Sequence, residues 1–294
     1  MYPILCRQNT YLKANIERKN GLYKAKEGKN NERDTYDGGG VTGNYWSSRA
    51  QAEYEYKGEK LYTITAAPYY VARRNLIVKS LKKIIHSKNL TKIADLGCGD
   101  GEYLNILHEE KREYTGIDIS KAMLDLAAQR CSRYSNVDFE YSETGIQNGY
   151  DYDMVYIVAV LAHVDDNTLK ELLENAFDRM QKGGVLCICE QIAPHELEGN
   201  GWKRRTFKRY VRELESTGFC INEDETFRID FKVHRKLFER KIAKLFYKKK
   251  SRIECNKDKI YLLLSRICVI FSLRKIHKTQ LNGFGYAFIA AEKK

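Results

Sequence analysis

Short apolar runs alternate with helix-like apolar stripes along the chain between residue 67 and residue 231. The short runs predict strands in "KIADLG", "EYTGIDIS", "VDFEYS", "YDMVYIVAVL" and "VLCICEQI". Stripes with helical spacing predict helices that precede or join these strands, among them 67–85, 165–181 and 202–219. Alternation of this kind predicts an α/β fold, in which a doubly wound, mostly parallel sheet carries helices on both faces.

The two ends of the chain have a different pattern. Residues 1–60 are polar and contain the glycine-rich stretch "YDGGGVTGN", which predicts a partly flexible N-terminal arm. Residues 61–231 and 280–294 form the predicted α/β core, with one strand in "FCINEDETFRIDF" and the last strand in "GFGYAFIAAEK". Between these two parts, residues 232–279 form a predicted basic helical insertion, or lid, between the last two strands.

The positive charge of the chain is concentrated in this insertion. The 294 residues carry a net charge of +12, and residues 232–259 alone hold 12 Lys or Arg against 3 acidic residues. Three explanations remain open for this basic segment. It is a lid with solvated lysines, an interfacial helix pair that binds anionic lipid, or a track for nucleic acid.

The cysteines and the apolar runs bear on the cellular compartment. The eight cysteines include no CxxC pair, so we expect neither disulfides nor a metal site, and Cys187 and Cys189 share one strand face as core residues. The N-terminus lacks the apolar region of a secretory signal. The apolar run 260–273 is too short to span a membrane and contains Arg266. We therefore expect a cytoplasmic protein, with peripheral binding to the inner membrane face as the alternative.

The first strand ends in a glycine-rich turn, "DLGCGDG", that predicts close approach of the backbone to a nucleotide-like ligand. A dinucleotide fingerprint would need a third glycine where Glu102 stands. An acid at Asp95 would repel a pyrophosphate, whereas it would attract an ammonium group. Asp118, at the end of the second strand, is suited to bind the two hydroxyls of a ribose.

With "GIDIS" and "YDMVYIVAVLAHVDD…MQKGG", this turn resembles the class I S-adenosylmethionine-dependent methyltransferases of the small-molecule type. The resemblance implies a Rossmann-like, seven-stranded sheet with an antiparallel last strand, and S-adenosyl-L-methionine as the cofactor. It implies that Asp95, Gly97 and Gly99 hold the methionine moiety and that Asp118 binds the ribose. The remaining implied cofactor contacts are Ile119, Met123 and Glu143 at the adenine, the Val158 backbone at the amino group, and Tyr70, Arg73 and Trp46 from an N-terminal cover.

The catalytic candidate is His163, which follows the fourth predicted strand at the mouth of the site. A hydroxyl acceptor has to lose a proton, and a histidine is suited to remove it near neutral pH. The alternatives for His163 are a helix cap or a stacking partner of the substrate. Asp165 and Asp166 are expected to cap the next helix. Glu190, Gln191 and Arg205 are the candidate substrate contacts.

The sequence thus favours methyl transfer to a small-molecule, sugar or glycan-type acceptor, with O-methylation ahead because of His163. The first alternative is an RNA or protein methyltransferase that uses the basic insertion. The second is a protein that binds S-adenosylmethionine without catalysis.

Overall fold

The computed structural model describes residue 46 and residues 68–149, 151–199, 201–231, 273–276, 281 and 283–294. The helices are α1 (Pro68–Ser87), α2 (Glu102–Leu107), α3 (Lys121–Cys131), α4 (Asp166–Arg179) and α5 (Phe207–Thr217). The strands are β1 (Lys92–Leu96), β2 (Glu113–Asp118), β3 (Val137–Tyr141), β4 (Tyr152–Val158), β5 (Met180–Ile192), β6 (Leu197–Gly199), β7 (Trp202–Arg204), β8 (Phe219–Ile221), β9 (Phe227–Phe231), β10 (Leu273–Ile276) and β11 (Gly285–Lys293). Apart from Trp46, the predicted arm 1–60 lies outside the described residues, and so does the basic segment 232–259.

Nine of the described strands form one sheet, in the order β10-β9-β11-β5-β4-β1-β2-β3, with β8 paired to β11. The five strands from β5 to β3 are parallel, and β11 lies antiparallel to β5. The expected doubly wound sheet with an antiparallel last strand is therefore confirmed.

The expected count of seven strands is wrong, for two reasons. The segment 219–231 forms two strands, because Asn222 turns the chain by accepting a hydrogen bond from the Glu225 backbone nitrogen at 3.3 Å. In addition, Leu273–Ile276 is a strand that pairs with β9, although it falls inside the predicted helical insertion.

Buried apolar side chains form two hydrophobic cores, one on each face of the sheet. Along β5, Cys187 and Cys189 face the core that includes α1, α2 and α3, while Leu186 and Ile188 face the core that includes α4 and α5. Both cysteines are free and buried, which confirms their role as core residues. Within the described part of the chain, no helix is long and apolar enough to cross a membrane.

The start of α5 differs from the prediction. Residues 202–204 form β7, which pairs with β6 in a hairpin, so the helix begins at Phe207 rather than near Trp202. The Thr206 side chain caps it by accepting from the Arg209 nitrogen at 3.0 Å. The predicted cap of α4 is confirmed at Asp165, which accepts from the Thr168 nitrogen at 2.7 Å.

Asp153 ties together the amino ends of two neighbouring strands. Its Oδ2 atom accepts hydrogen bonds from the backbone nitrogens of Thr91 at 2.6 Å and Lys92 at 2.8 Å. Since Lys92 begins β1 and Asp153 lies at the start of β4, this contact is at the edge of the sheet opposite to the carboxyl ends of the parallel strands.

Candidate active site

The carboxyl ends of β1, β2, β4 and β5 meet at one edge of the sheet. The chain runs from β1 outward to β2 and β3, and then returns to the other side of β1 to form β4 and β5. Such a reversal opens a crevice between neighbouring strand ends, where α/β proteins bind their ligands. Asp95, Asp118, Val158 and Glu190 all lie at or near these carboxyl ends.

Two glycines after β1 have left-handed backbone conformations, Gly97 at φ 81° and Gly99 at φ 53°. Gly97 is packed closely, because a Cβ there would lie 2.2 Å from the Cγ2 atom of Val160. A Cβ at Gly99 would meet no atom of the described residues within 4 Å, so the backbone borders open space in this part of the structure. The turn therefore offers an exposed stretch of backbone to a ligand at Gly99.

Asp95 is a buried acid beside this turn, 2% exposed. Its Oδ2 atom makes no hydrogen bond of normal geometry within the described residues. Burial raises the pKa of Asp95 well above its usual value, and the Tyr156 hydroxyl on the adjacent strand lowers it in part. A cationic group placed at Oδ2 would favour the ionised carboxylate. These properties fit the ammonium of an S-adenosylmethionine methionine moiety.

Asp118 links the glycine turn to the end of β2. One carboxylate oxygen accepts from the Gly99 nitrogen at 2.8 Å, and the other accepts from the Ser120 nitrogen at 2.8 Å. Burial raises the pKa of this carboxyl, and these backbone N–H groups lower it in part. Each oxygen has a second lone pair, so the side chain can still accept from two ribose hydroxyls.

Of the three residues expected to contact adenine, two lie next to Asp118 and one lies at the surface. Met123 is buried at the start of α3, where its nitrogen donates to the Ser120 hydroxyl, and Ile119 is half-buried between β2 and α3. Glu143 is exposed beyond the end of β3 and accepts a hydrogen bond from the Tyr141 hydroxyl. The structure brings Ile119 and Met123 next to Asp118, whereas it places Glu143 at the surface.

The segment 159–164, which follows β4, has an unusual backbone. Ala159 has φ 59°, a left-handed conformation that costs energy in a residue with a side chain. Its nitrogen donates to the Cys189 carbonyl at 3.0 Å, and a 3-10 turn over Leu161–His163 follows. Nothing in the sequence marks this conformation, because alanine is not a residue that favours it.

His163 lies at the end of this turn. Its Nδ1 atom is 3.0 Å from the carbonyl oxygen of Gly201, which directly precedes β7. A carbonyl only accepts hydrogen bonds, so Nδ1 is the donor and Nε2 keeps its lone pair in the neutral ring. The Trp46 ring stands edge-on to the imidazole, with 5.1 Å between the ring centroids. His163 is therefore held in the tautomer that a general base acting through Nε2 requires.

The expected substrate contacts are mostly enclosed by the protein. Glu190 and Arg205 are both 0% exposed, and their polar groups bind the 159–164 segment rather than facing solvent. Gln191 is half-buried in β5, opposite Tyr286 of β11. The Arg73 guanidinium lies 4.2 Å from the centre of the Tyr286 ring, which places Arg73 on the β5 side of the crevice. Tyr70 lies in α1, and its side chain is outside the described residues.

The sequence of this chain is similar to sequences of known proteins over part of its length. A family model described as "Methyltransferase domain" matches residues 94–186, from β1 to the middle of β5. A carboxy-S-adenosyl-L-methionine synthase of Helicobacter pylori is 31% identical over 168 residues, which cover 53% of this chain and 67% of the relative. A demethylmenaquinone methyltransferase of Tropheryma whipplei is 27% identical over 121 residues, covering 41% of this chain and 49% of the relative.

A solved structure of a SAM-dependent methyltransferase from Thermotoga maritima has the same fold. It aligns with 85% of this chain and 99% of its own at a TM-score of 0.53 and 15% identity. The range of this chain that the family model matches contains the glycine turn, Asp118 and His163. Among the described residues, no group of three His, Cys, Asp or Glu side chains is arranged to hold a metal. The chain is an enzyme of the class I S-adenosylmethionine-dependent methyltransferase family, and its cofactor is S-adenosyl-L-methionine.

Proposed function

We propose that this enzyme transfers the methyl group of S-adenosylmethionine to a hydroxyl oxygen of a small-molecule, sugar or glycan-type acceptor. The observation that carries the proposal is the hydrogen bond from His163 Nδ1 to the Gly201 carbonyl at 3.0 Å. A base is needed for a hydroxyl acceptor and not for a neutral amine, so a histidine held in one tautomer favours oxygen as the nucleophile.

The residues after β1 and β2 would hold the cofactor. Asp95 would pair with the ammonium group, the Gly99 backbone would lie against the methionine moiety, and Asp118 would accept from the ribose hydroxyls. When bound, S-adenosylmethionine supplies an electrophilic methyl group on a sulfonium. The protein then has to orient the acceptor oxygen in line with the carbon–sulfur bond and to exclude water.

His163 would take the acceptor proton at Nε2 as the new carbon–oxygen bond forms. The imidazolium produced would stay bound to the Gly201 carbonyl through Nδ1. Val160, three residues earlier, packs against Gly97, so the histidine segment adjoins the cofactor turn. The β6–β7 hairpin would form the acceptor-side wall, because it contributes the carbonyl that orients the base.

The test is methyl transfer from labelled S-adenosylmethionine into an extract of the source organism, separated into metabolite, RNA and protein fractions. We expect the label in the metabolite fraction, at a rate that falls about 100-fold in His163→Gln. The affinity for S-adenosylhomocysteine, measured by calorimetry, should be the same in both proteins. Label in RNA or protein would overturn the small-molecule acceptor, and an undiminished rate would exclude His163 as the base.

A second candidate reaction follows from the relatives. The Helicobacter protein, matched over two thirds of its length, is named for the synthesis of carboxy-S-adenosyl-L-methionine. In that case the product would be a modified cofactor and not a methylated acceptor. Mass spectrometry of the nucleosides after incubation with extract separates the two reactions. S-adenosylhomocysteine indicates methyl transfer, and carboxy-S-adenosylmethionine indicates the second reaction.

The basic segment 232–259 has its own assay, since a lid, a lipid-binding helix pair and a nucleic-acid track remain alternatives. Sedimentation with anionic vesicles and a gel shift with RNA, each at low and high salt, distinguish them. Binding to neither favours the lid.

A further inference from the structure

Two buried charged side chains, Glu190 and Arg205, flank the segment that carries His163. Both are 0% exposed, which is rare for charged residues unless their groups are paired. Glu190 lies near the carboxyl end of β5, and Arg205 lies between β7 and α5. Neither side chain faces solvent, so direct contact with an acceptor does not explain them.

Glu190 binds the N–H groups of the segment. Its Oε1 atom accepts from the backbone nitrogens of Val160 at 2.6 Å and Leu161 at 2.7 Å. Burial raises the pKa of this carboxyl, and the N–H groups of Leu161, Val160 and Ala162 lower it in part. The Oε2 atom is buried without a hydrogen bond of normal geometry in the described residues. A carboxylate at the first turn of the 3-10 helix thus satisfies donors that would otherwise be orphaned.

Arg205 binds the carbonyl groups of the same segment. Its two terminal nitrogens donate to the carbonyl oxygens of Leu161 at 2.5 Å and Val164 at 2.7 Å. Its Nε atom donates to Asp166 Oδ1 at 2.9 Å, at the start of α4. Asp166 is thereby part of an ion pair, in addition to lying in the first turn of the helix.

Glu190 therefore binds N–H groups of this short segment, and Arg205 binds its carbonyl groups. An alanine keeps a left-handed conformation only where the surrounding structure fixes it. Ala159 has this conformation, and the contacts of Glu190 begin at the next residue, Val160. We propose that Glu190 and Arg205 are positioning residues that hold the 159–164 segment, and with it His163, at the cofactor crevice. This inference rests on the proposed function of His163 and identifies the residues that hold His163 in place.

The test reads the His163 ring directly and needs no acceptor. Long-range proton–nitrogen NMR of the six histidines reports the tautomer of each ring, and His163→Gln identifies the signal of interest. In the wild-type protein above pH 8 we expect a protonated Nδ1 and an unprotonated Nε2. In Glu190→Leu and Arg205→Met, which keep similar volume without the polar groups, we expect the mixture of tautomers typical of a free imidazole.

Glu190→Gln serves as the conservative variant, because an amide oxygen can still accept from Val160 and Leu161. It should retain the wild-type tautomer. Asp153→Ala is the matched structural control. It also removes a carboxylate that accepts two backbone N–H groups, but at the opposite edge of the sheet. It should lower the melting temperature and leave the His163 signal unchanged.

Folded Glu190→Leu and Arg205→Met proteins with a wild-type His163 signal would overturn the positioning role. A His163 signal disturbed equally by Asp153→Ala would overturn it too. If Glu190→Leu does not fold, Arg205→Met decides the question alone. Calorimetry with S-adenosylhomocysteine on the wild-type protein separates the two levels of inference, because failure to bind contradicts the cofactor site, whatever the NMR result.

Discussion

The side chain of Val160 lies against Gly97, where a Cβ would come within 2.2 Å of Cγ2. Gly97→Ala should therefore lower the free energy of unfolding by about 3 kcal/mol, through overpacking and the strain of a left-handed alanine. Urea denaturation measures the change. A stability equal to that of the wild type would show that the 159–164 segment moves freely away from the turn.

Gly99→Ala should affect the stability less than Gly97→Ala does and should mainly weaken cofactor binding. Its added methyl group enters open space, so the loss of stability should be only about 1 kcal/mol, from backbone strain. The same methyl group should occupy room that the cofactor needs. We expect the affinity for S-adenosylhomocysteine to fall at least about tenfold, or about 1.4 kcal/mol, by calorimetry. Undiminished binding would mean that the cofactor does not lie against Gly99.

Asp118→Ala should weaken cofactor binding by about 1.5–3 kcal/mol, because the ribose hydroxyls lose their acceptors. The Gly99 nitrogen would also lose its partner, which loosens the turn. Asp125→Ala is the control, since Asp125 is an exposed aspartate on α3, the helix that follows β2. Calorimetry showing equal affinity for Asp118→Ala and Asp125→Ala would contradict the ribose assignment.

The stability of the protein should depend on the protonation of Glu190. Burial is the main cause that raises the pKa of Glu190 from the usual 4.5 to about 7, while backbone N–H groups and Arg205 lower it in part. Below pH 4.5 the carboxyl is protonated in both the folded and the unfolded chain. Between pH 4.5 and about 7, the unfolded chain releases this proton while the folded chain keeps it. The contribution of Glu190 to the free energy of unfolding therefore falls as the pH rises through this window and is constant above it.

Glu190→Gln removes this titration, so the difference between wild type and variant isolates it from other groups. The advantage of the wild type should shrink by about 3 kcal/mol between pH 4.5 and 7, in urea denaturation at several pH values. Among the described titratable groups, Arg205, Tyr210 and Cys189 interact electrostatically with Glu190, and none of them is altered in this variant. A pH-independent difference would show that Glu190 has an ordinary pKa.

The sequence was sufficient where local patterns decide the structure. The apolar runs located the parallel strands, and the glycines after Leu96 indicated a turn because few other residues adopt its backbone angles. The hairpin of β6 and β7 was missed, since Trp202–Arg204 is short and reads as the start of a polar helix. Burial of Glu190 and Arg205 was missed for a different reason. Backbone groups of the 159–164 segment bind both side chains, and Asp166 also pairs with Arg205. These partners are distant in sequence from Glu190 and Arg205, so the pairing exists only once the chain has folded.

The return of the chain across β1 divides the crevice between two separate stretches of sequence. In the proposed site, residues 95–123 would hold the nucleoside, and the end of β5, the hairpin and the 159–164 segment would form the opposite wall. Substitutions in the second stretch can therefore change which molecule receives the methyl group while the first stretch stays constant. Diversification of such an enzyme toward new acceptors would leave its donor site untouched.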